Sequence, residues 1–109
     1  MSAITPPDTP FHAKLQDFIE YPDGGVLSKA IVKDSACQYT LFCLAKGTDI
    51  EEHTSTRNAT ITAIEGTGTL TLDGKLILLK PDTFVFMPAN TPHALTASEN
   101  LAFLLVLSV

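Results

Sequence analysis

The chain has 109 residues, 45 % of them hydrophobic and 17 % charged, the composition of one compact folded domain and far from that of a disordered segment. Seven Lys and Arg against twelve Asp and Glu leave a formal net charge of -5. That field repels phosphate backbones and anionic bilayers and argues against a nucleic-acid or membrane partner.

In chain order, the first segment carries a weak helical signal. Phe11, Leu15, Phe18 and Ile19 fall at helical spacing, and the run stops at Pro22 and Asp23-Gly24-Gly25, so at most one short helix or irregular arm opens the chain. Residues 1–25 are read as an N-terminal arm of the same domain, with a Pro-rich stretch over 5–10 that is free to cross to a dimer partner. Three prolines and no apolar run behind a basic start in the first twenty residues predict an unexported, cytoplasmic protein. Apolar runs elsewhere are about 5 to 8 residues long, against about 20 for a membrane-spanning helix.

From residue 26 to 109 the pattern is that of an all-β barrel or sandwich: short apolar or alternating runs separated by turn chemistry every 8 to 12 residues or so. The expected strands are 26–33, 38–45, 59–65, 68–73, 75–80, 83–88, 93–97 and 101–108. The chain's fourteen threonines, many of them in these runs, suit a pleated surface better than a helix. Breaks stand at Lys46-Gly47, Glu65-Gly66-Thr67-Gly68, Asp73-Gly74, Pro81-Asp82, Ala89-Asn90-Thr91-Pro92 and Glu99-Asn100, and Asp73-Gly74 is a strong two-residue hairpin signal. Cys37 and Cys43 lie in one strand, about 20 Å apart if extended, too far for a disulfide. They are expected to be reduced core residues, as in a cytoplasm. The final run, LAFLLVLS, does not alternate, which predicts burial of both faces, one against the core and one against a second sheet or another subunit. A homodimer is expected.

Alternate positions read backward from the strand 59–65 put Ala63, Ile61, Ala59, Arg57, Ser55 and His53 on one face if the extended conformation persists. His93 shares a face with Leu95. Polar residues followed by small apolar ones suit a cavity with a polar mouth. The segments GTDIEEHTSTRNATITAIEG (47–66) and DTFVFMPANTPHALTA (82–97) resemble the two sequence motifs of the cupin superfamily. In the first, Gly47, His53, Ser55, Ala59 and Gly66 stand where that motif has Gly, His, His, Glu and Gly; in the second, Asp82, Pro88, Asn90, His93 and Ala97 stand for Gly, Pro, Gly, His and Asn. The stretch EEHTSTRNA is also similar to small bacterial single-domain cupins whose first motif keeps one histidine and whose role is unassigned.

The resemblance implies a single-domain double-stranded β-helix, or jelly-roll barrel, over residues 26–109. It also implies a site that in complete cupins offers three His and one Glu to a divalent metal such as Fe, Ni, Mn or Zn. This chain keeps His53 and His93 at those positions; Ser55 and Ala59 replace the other two ligands. Two imidazoles alone do not assemble a two-His-one-carboxylate triad. Glu51 and Glu52 are expected to face away or to lie in a loop. His53 and His93 are therefore either hydrogen-bonding groups or a general acid and base at the barrel mouth, or the remaining ligands of a metal-dependent oxygenase or isomerase. Arg57, the chain's one arginine, is either a carboxylate or phosphate anchor or a partner in an ion pair. Ile61, Phe86 and Phe103, together with Phe42, Leu44, Met87, Leu95 and Leu105, are the apolar candidates for the cavity wall. The expected function is binding of a small polar or anionic organic ligand without a complete metal site. No Gly-x-Ser-x-Gly elbow, Cys-x-x-Cys pair, P-loop or dinucleotide fingerprint occurs, which removes the chemistries that need them.

Overall fold

Nine strands form two antiparallel sheets in a computed structural model that describes residues 3–6 and 8–108. Met1, Ser2 and Pro7 of the expected arm, and Val109 of the expected barrel, lie outside the described residues. The strands are β1 (Val26–Lys33), β2 (Cys37–Leu44), β3 (Asp49–His53), β4 (Ala59–Glu65), β5 (Gly68–Leu72), β6 (Lys75–Leu79), β7 (Phe84–Met87), β8 (His93–Ala97) and β9 (Leu101–Ser108). One sheet runs β1-β2-β9-β4-β7 and the other β3-β8-β5-β6. The all-β jelly-roll expectation holds, and β3 is the strand the hydrophobic pattern did not mark.

The turns are made by the residues whose chemistry announces them. Asp73 and Gly74 have φ of 50° and 80°, both positive as a two-residue primed turn requires, and β5 and β6 pair as a hairpin from Leu72↔Lys75 onward. Gly66 is required twice over. Its φ is 84°, and a Cβ there would stand 1.7 Å from the main-chain oxygen of Asn100, so the β4–β5 turn can pass the β8–β9 turn only without a side chain.

The core lies between the sheets. Leu44, Ile61, Ala63, Val85, Met87, Leu101 and Phe103 from one sheet meet Leu70, Leu79, Leu95 and Ala97 from the other. Phe42 and Phe103, register partners on β2 and β9, stack with centroids 5.3 Å apart.

A second, smaller cluster sits on the outer face of the five-stranded sheet, where Ile31, Leu41, Cys43 and Ala102 are covered by Phe18, Ile19 and Tyr21 of the arm. The helical signal in that arm becomes a single 3-10 turn, Leu15–Phe18. Ile4 and Thr5 donate main-chain hydrogen bonds to Ala30 and Ile31 on the edge strand β1, Tyr21 Oη donates to Glu65 at 2.6 Å, and Lys29 pairs with Glu20 at 3.1 Å. The second layer over the apolar β9 is thus the chain's own arm at Ala102. Further along β9, Leu104 and Val106 stay half-buried. Both cysteines are free; Cys43 is buried and Cys37 half-buried. No helix among the described residues is long and apolar enough to cross a membrane.

Candidate functional site

A cavity of about 170 Å³ opens between the two sheets. Phe42, Ile61, Met87, Phe103 and Leu105 line it from the five-stranded sheet, and Ile50, His53, Leu70, His93 and Leu95 from the other. Ile61, Leu70, Met87, Leu95 and Phe103 are buried and form its floor. Exposed His53 and half-buried Phe42, Ile50, His93 and Leu105 form its rim. No charged side chain lines it.

The two imidazoles are brought together by strand pairing. His53 on β3 is the direct register partner of His93 on β8, and their ring centroids are 4.2 Å apart at an interplanar angle of 61°. A β-bulge makes this possible. Ile50 pairs with Leu95 and His53 with His93, so three steps along β3 oppose two along β8. In a regular strand Ile50 and His53 would point to opposite faces; the extra residue at the Glu51-Glu52 step turns both into the cavity. Nδ1 of His53 lies 2.9 Å from the carbonyl oxygen of Glu51, and Nδ1 of His93 lies 2.9 Å from that of Thr91. A carbonyl oxygen only accepts, so each Nδ1 carries a proton, and in its neutral form each ring presents Nε2 as a lone-pair acceptor.

The other expected site residues divide. Ile61 and Phe103 line the cavity, as do Phe42, Met87, Leu95 and Leu105, while Leu44 is buried in the core away from it. Phe86 does not line it: it is 52 % exposed and borders a shallow depression on the outer face with Cys37, Thr60 and Val106. The reason is register. β7 pairs with β4 as Ile61↔Val85 and Thr60↔Phe86, which sends Val85 and Met87 inward and both phenylalanines of the strand outward.

Ser55 and Arg57 are also outside the lining. The extended run ends at His53, and residues 54–58 form a loop crossing from one sheet to the other. There Ser55 Oγ accepts the Arg57 N–H at 3.1 Å, and the Ser55 carbonyl accepts the Asn90 N–H. Arg57 is exposed and takes no part in the two ion pairs found among the described residues, Lys29–Glu20 and Lys46–Glu99. Asn58 closes this corner. Its Oδ1 accepts the Ala89 N–H at 2.8 Å and its carbonyl accepts the Ser108 N–H at 3.0 Å, which ties the 54–58 loop to the loop leading into His93. The pattern of hydrophobic residues did not point to Ile50 and Leu70. Ile50 is the single apolar residue in Asp-Ile-Glu-Glu-His, and only its alternation with Asp49 and Glu51 marks it.

The sequence profile of the cupin domain matches residues 40–108. The chain belongs to the cupin family. This cupin resembles a conserved protein of unknown function from Streptococcus pyogenes at 30% identity, with a TM-score of 0.83 over 99% of this chain and 95% of that one. It also resembles a cupin superfamily protein from Desulfitobacterium hafniense (24% identity, TM-score 0.82, 94% of this chain and 92% of that one). A cupin 2 conserved barrel domain protein from Leptotrichia buccalis is 30% identical, with a TM-score of 0.77 over 86% of this chain and 46% of that one. No curated protein sequence matches the chain significantly.

Membership in this family raises the matter of a metal. Catalytic zinc sites use three protein ligands and structural ones four. Among the described residues no group of three or more His, Cys, Asp or Glu is placed to hold an ion. Ser55 is engaged in its own loop and Ala59 presents only a methyl group. The donor set at His53 and His93 does not fit a resident metal.

Proposed function

We propose that this cupin binds one small organic molecule in the cavity beneath His53 and His93, its apolar body among Ile61, Leu70, Leu95 and Phe103 and its polar end at the two imidazoles. The observation that carries this reading is the cavity itself: about 170 Å³ of space with apolar walls from both sheets and polar groups at the histidine pair. Engineered apolar cavities of about 150 Å³ take up benzene, so the size suits a single ring or a short chain. Arg57 is left out as an anion anchor because it does not line the space.

Toluene as a probe tests the reading. A ligand raises the melting temperature only of a protein that binds it. Toluene is expected to stabilise the wild type and to stabilise Ile61→Phe less, because the larger side chain takes up part of the space. An equal response of the two proteins, or none in the wild type, contradicts the proposal. A metal-dependent oxygenase or isomerase would need a third protein donor beside the two histidines.

We also read the protein as a cytoplasmic homodimer of one-domain chains, arm 1–25 and barrel 26–109. Its support is the pair of free cysteines and the exposure of Phe84 and Phe86, 63 % and 52 %, on the short edge strand β7, a pattern that a second copy would cover. Sedimentation equilibrium is expected to give twice the chain mass for the wild type and the chain mass for Phe86→Glu.

A further inference from the structure

Resting on the cavity reading, we infer that the polar end of the ligand is an uncharged hydrogen-bond donor, a hydroxyl or amino group, and that the site discriminates against carboxylates of the same size. The argument begins with the main chain. Each Nδ1–H is held by a carbonyl oxygen at 2.9 Å, from Glu51 for one ring and from Thr91 for the other. That bond fixes both neutral rings in the same tautomer, so Nε2 of each is an acceptor and neither has a second N–H to offer. Two acceptors therefore stand side by side at the rim, with ring centroids 4.2 Å apart, and the remaining eight lining residues are Phe, Ile, Leu and Met. The cavity has no side-chain donor for its occupant.

Charge narrows the class further. A carboxylate brought into this space meets two lone pairs and no cation, and an ammonium group meets no carboxylate, since no Asp, Glu, Lys or Arg lines the walls. Burying an unpaired ion in apolar surroundings is costly. A neutral donor exchanges its bond to water for a bond to Nε2 at little loss, while its apolar body gains burial. The chemical class is thus a ring-sized or short-chain apolar molecule ending in a hydroxyl or amino group.

Four single-ring probes test this at pH 8: toluene, anisole, phenol and benzoate, with dissociation constants measured by calorimetry. Phenol is expected to bind about fivefold more tightly than anisole, the worth of about one net hydrogen bond, and benzoate at least about tenfold more weakly than phenol. In His53→Leu/His93→Leu, phenol is expected to weaken about tenfold while toluene stays within about twofold. Equal affinities of phenol and anisole, or benzoate as the tightest probe, overturn the donor assignment while leaving the cavity reading intact. Binding of none of the four overturns the cavity reading itself. The phenol-to-anisole ratio is measured on the wild type and decides the matter even if the double variant does not fold.

Discussion

His53 and His93 commit the same ring nitrogen to the same kind of acceptor: the Nδ1–H of each is held at 2.9 Å by the main-chain carbonyl two residues before it, in Glu51 and Thr91. Because the two residues are register partners on β3 and β8, the backbone alone sets the orientation of both rings. Long-range ¹H–¹⁵N correlation at pH 8 is expected to show the Nδ1–H tautomer for both residues. A predominant Nε2–H form in either ring would contradict this arrangement and remove the paired acceptors from the cavity.

The turn glycines give an internal contrast. At Gly66 a Cβ would sit 1.7 Å from the Asn100 carbonyl oxygen, at a φ of 84°, whereas at Gly24 nothing lies within 4 Å and φ is not positive. Gly66→Ala is expected to cost roughly 3 kcal/mol or more, combining backbone strain with a main-chain clash. Gly24→Ala is expected to change stability by less than about 1 kcal/mol, in the stabilising direction. Urea unfolding of the two variants measures both.

The arm is pinned by Tyr21, whose hydroxyl donates to Glu65 at 2.6 Å. Burial, then the hydrogen bond to Glu65 and the charge of that carboxylate, push the phenol well above its ordinary range. With the folded value above the unfolded one, the stabilisation is fully present below about pH 10, the unfolded phenol value. It is lost as pH rises above that, because the unfolded chain releases its proton first. Melting temperature measured between pH 8 and 11 is expected to fall more steeply for the wild type than for Tyr21→Phe. At neutral pH Tyr21→Phe is expected to cost about 1 kcal/mol. Parallel profiles would show that the Tyr21–Glu65 contact is not made in solution.

Elemental analysis of untagged protein tests the donor count. Two imidazoles, with Ser55 held in its loop and Ala59 inert, are expected to retain less than about 0.1 equivalent of Fe, Ni, Mn or Zn after dialysis, since stable catalytic sites need a third protein ligand. Stoichiometric metal that disappears in His53→Ala and in His93→Ala would restore the metal-dependent reading.

Much of this barrel was legible in the sequence because a half-buried strand alternates and a tight turn has few acceptable residues. Strands β4, β8 and β9 begin and end at the expected residues, and Asp73-Gly74 forms the hairpin its chemistry announces. The meeting of His53 and His93 was legible from the resemblance to the two cupin motifs. The path to it was not. Parity counted back from β4 assumes one continuous strand, but the chain changes sheets at residues 54–58, so Ser55 and Arg57 leave the inner face. His53 regains that face through a bulge set by pairing with a strand forty residues away. Phe86 illustrates the other failure. In Thr-Phe-Val-Phe-Met every residue but the first is apolar, so the segment has no parity of its own, and pairing with β4 turns the smaller Val85 and Met87 inward. Ile50 was hidden for the opposite reason, as one apolar residue among acidic neighbours at the rim.

The most direct test of the account is a methyl ¹H–¹³C NMR titration of the wild-type protein with toluene. The predicted result is perturbation of Ile50, Ile61, Leu70, Leu95 and Leu105, all lining residues, with Val106 and Leu76 on the outer surfaces unmoved. Shifts centred on Val106 beside the Phe86 depression, or no shifts among the five lining methyl residues at saturating toluene, would contradict the claim that the space beneath His53 and His93 is where this cupin binds.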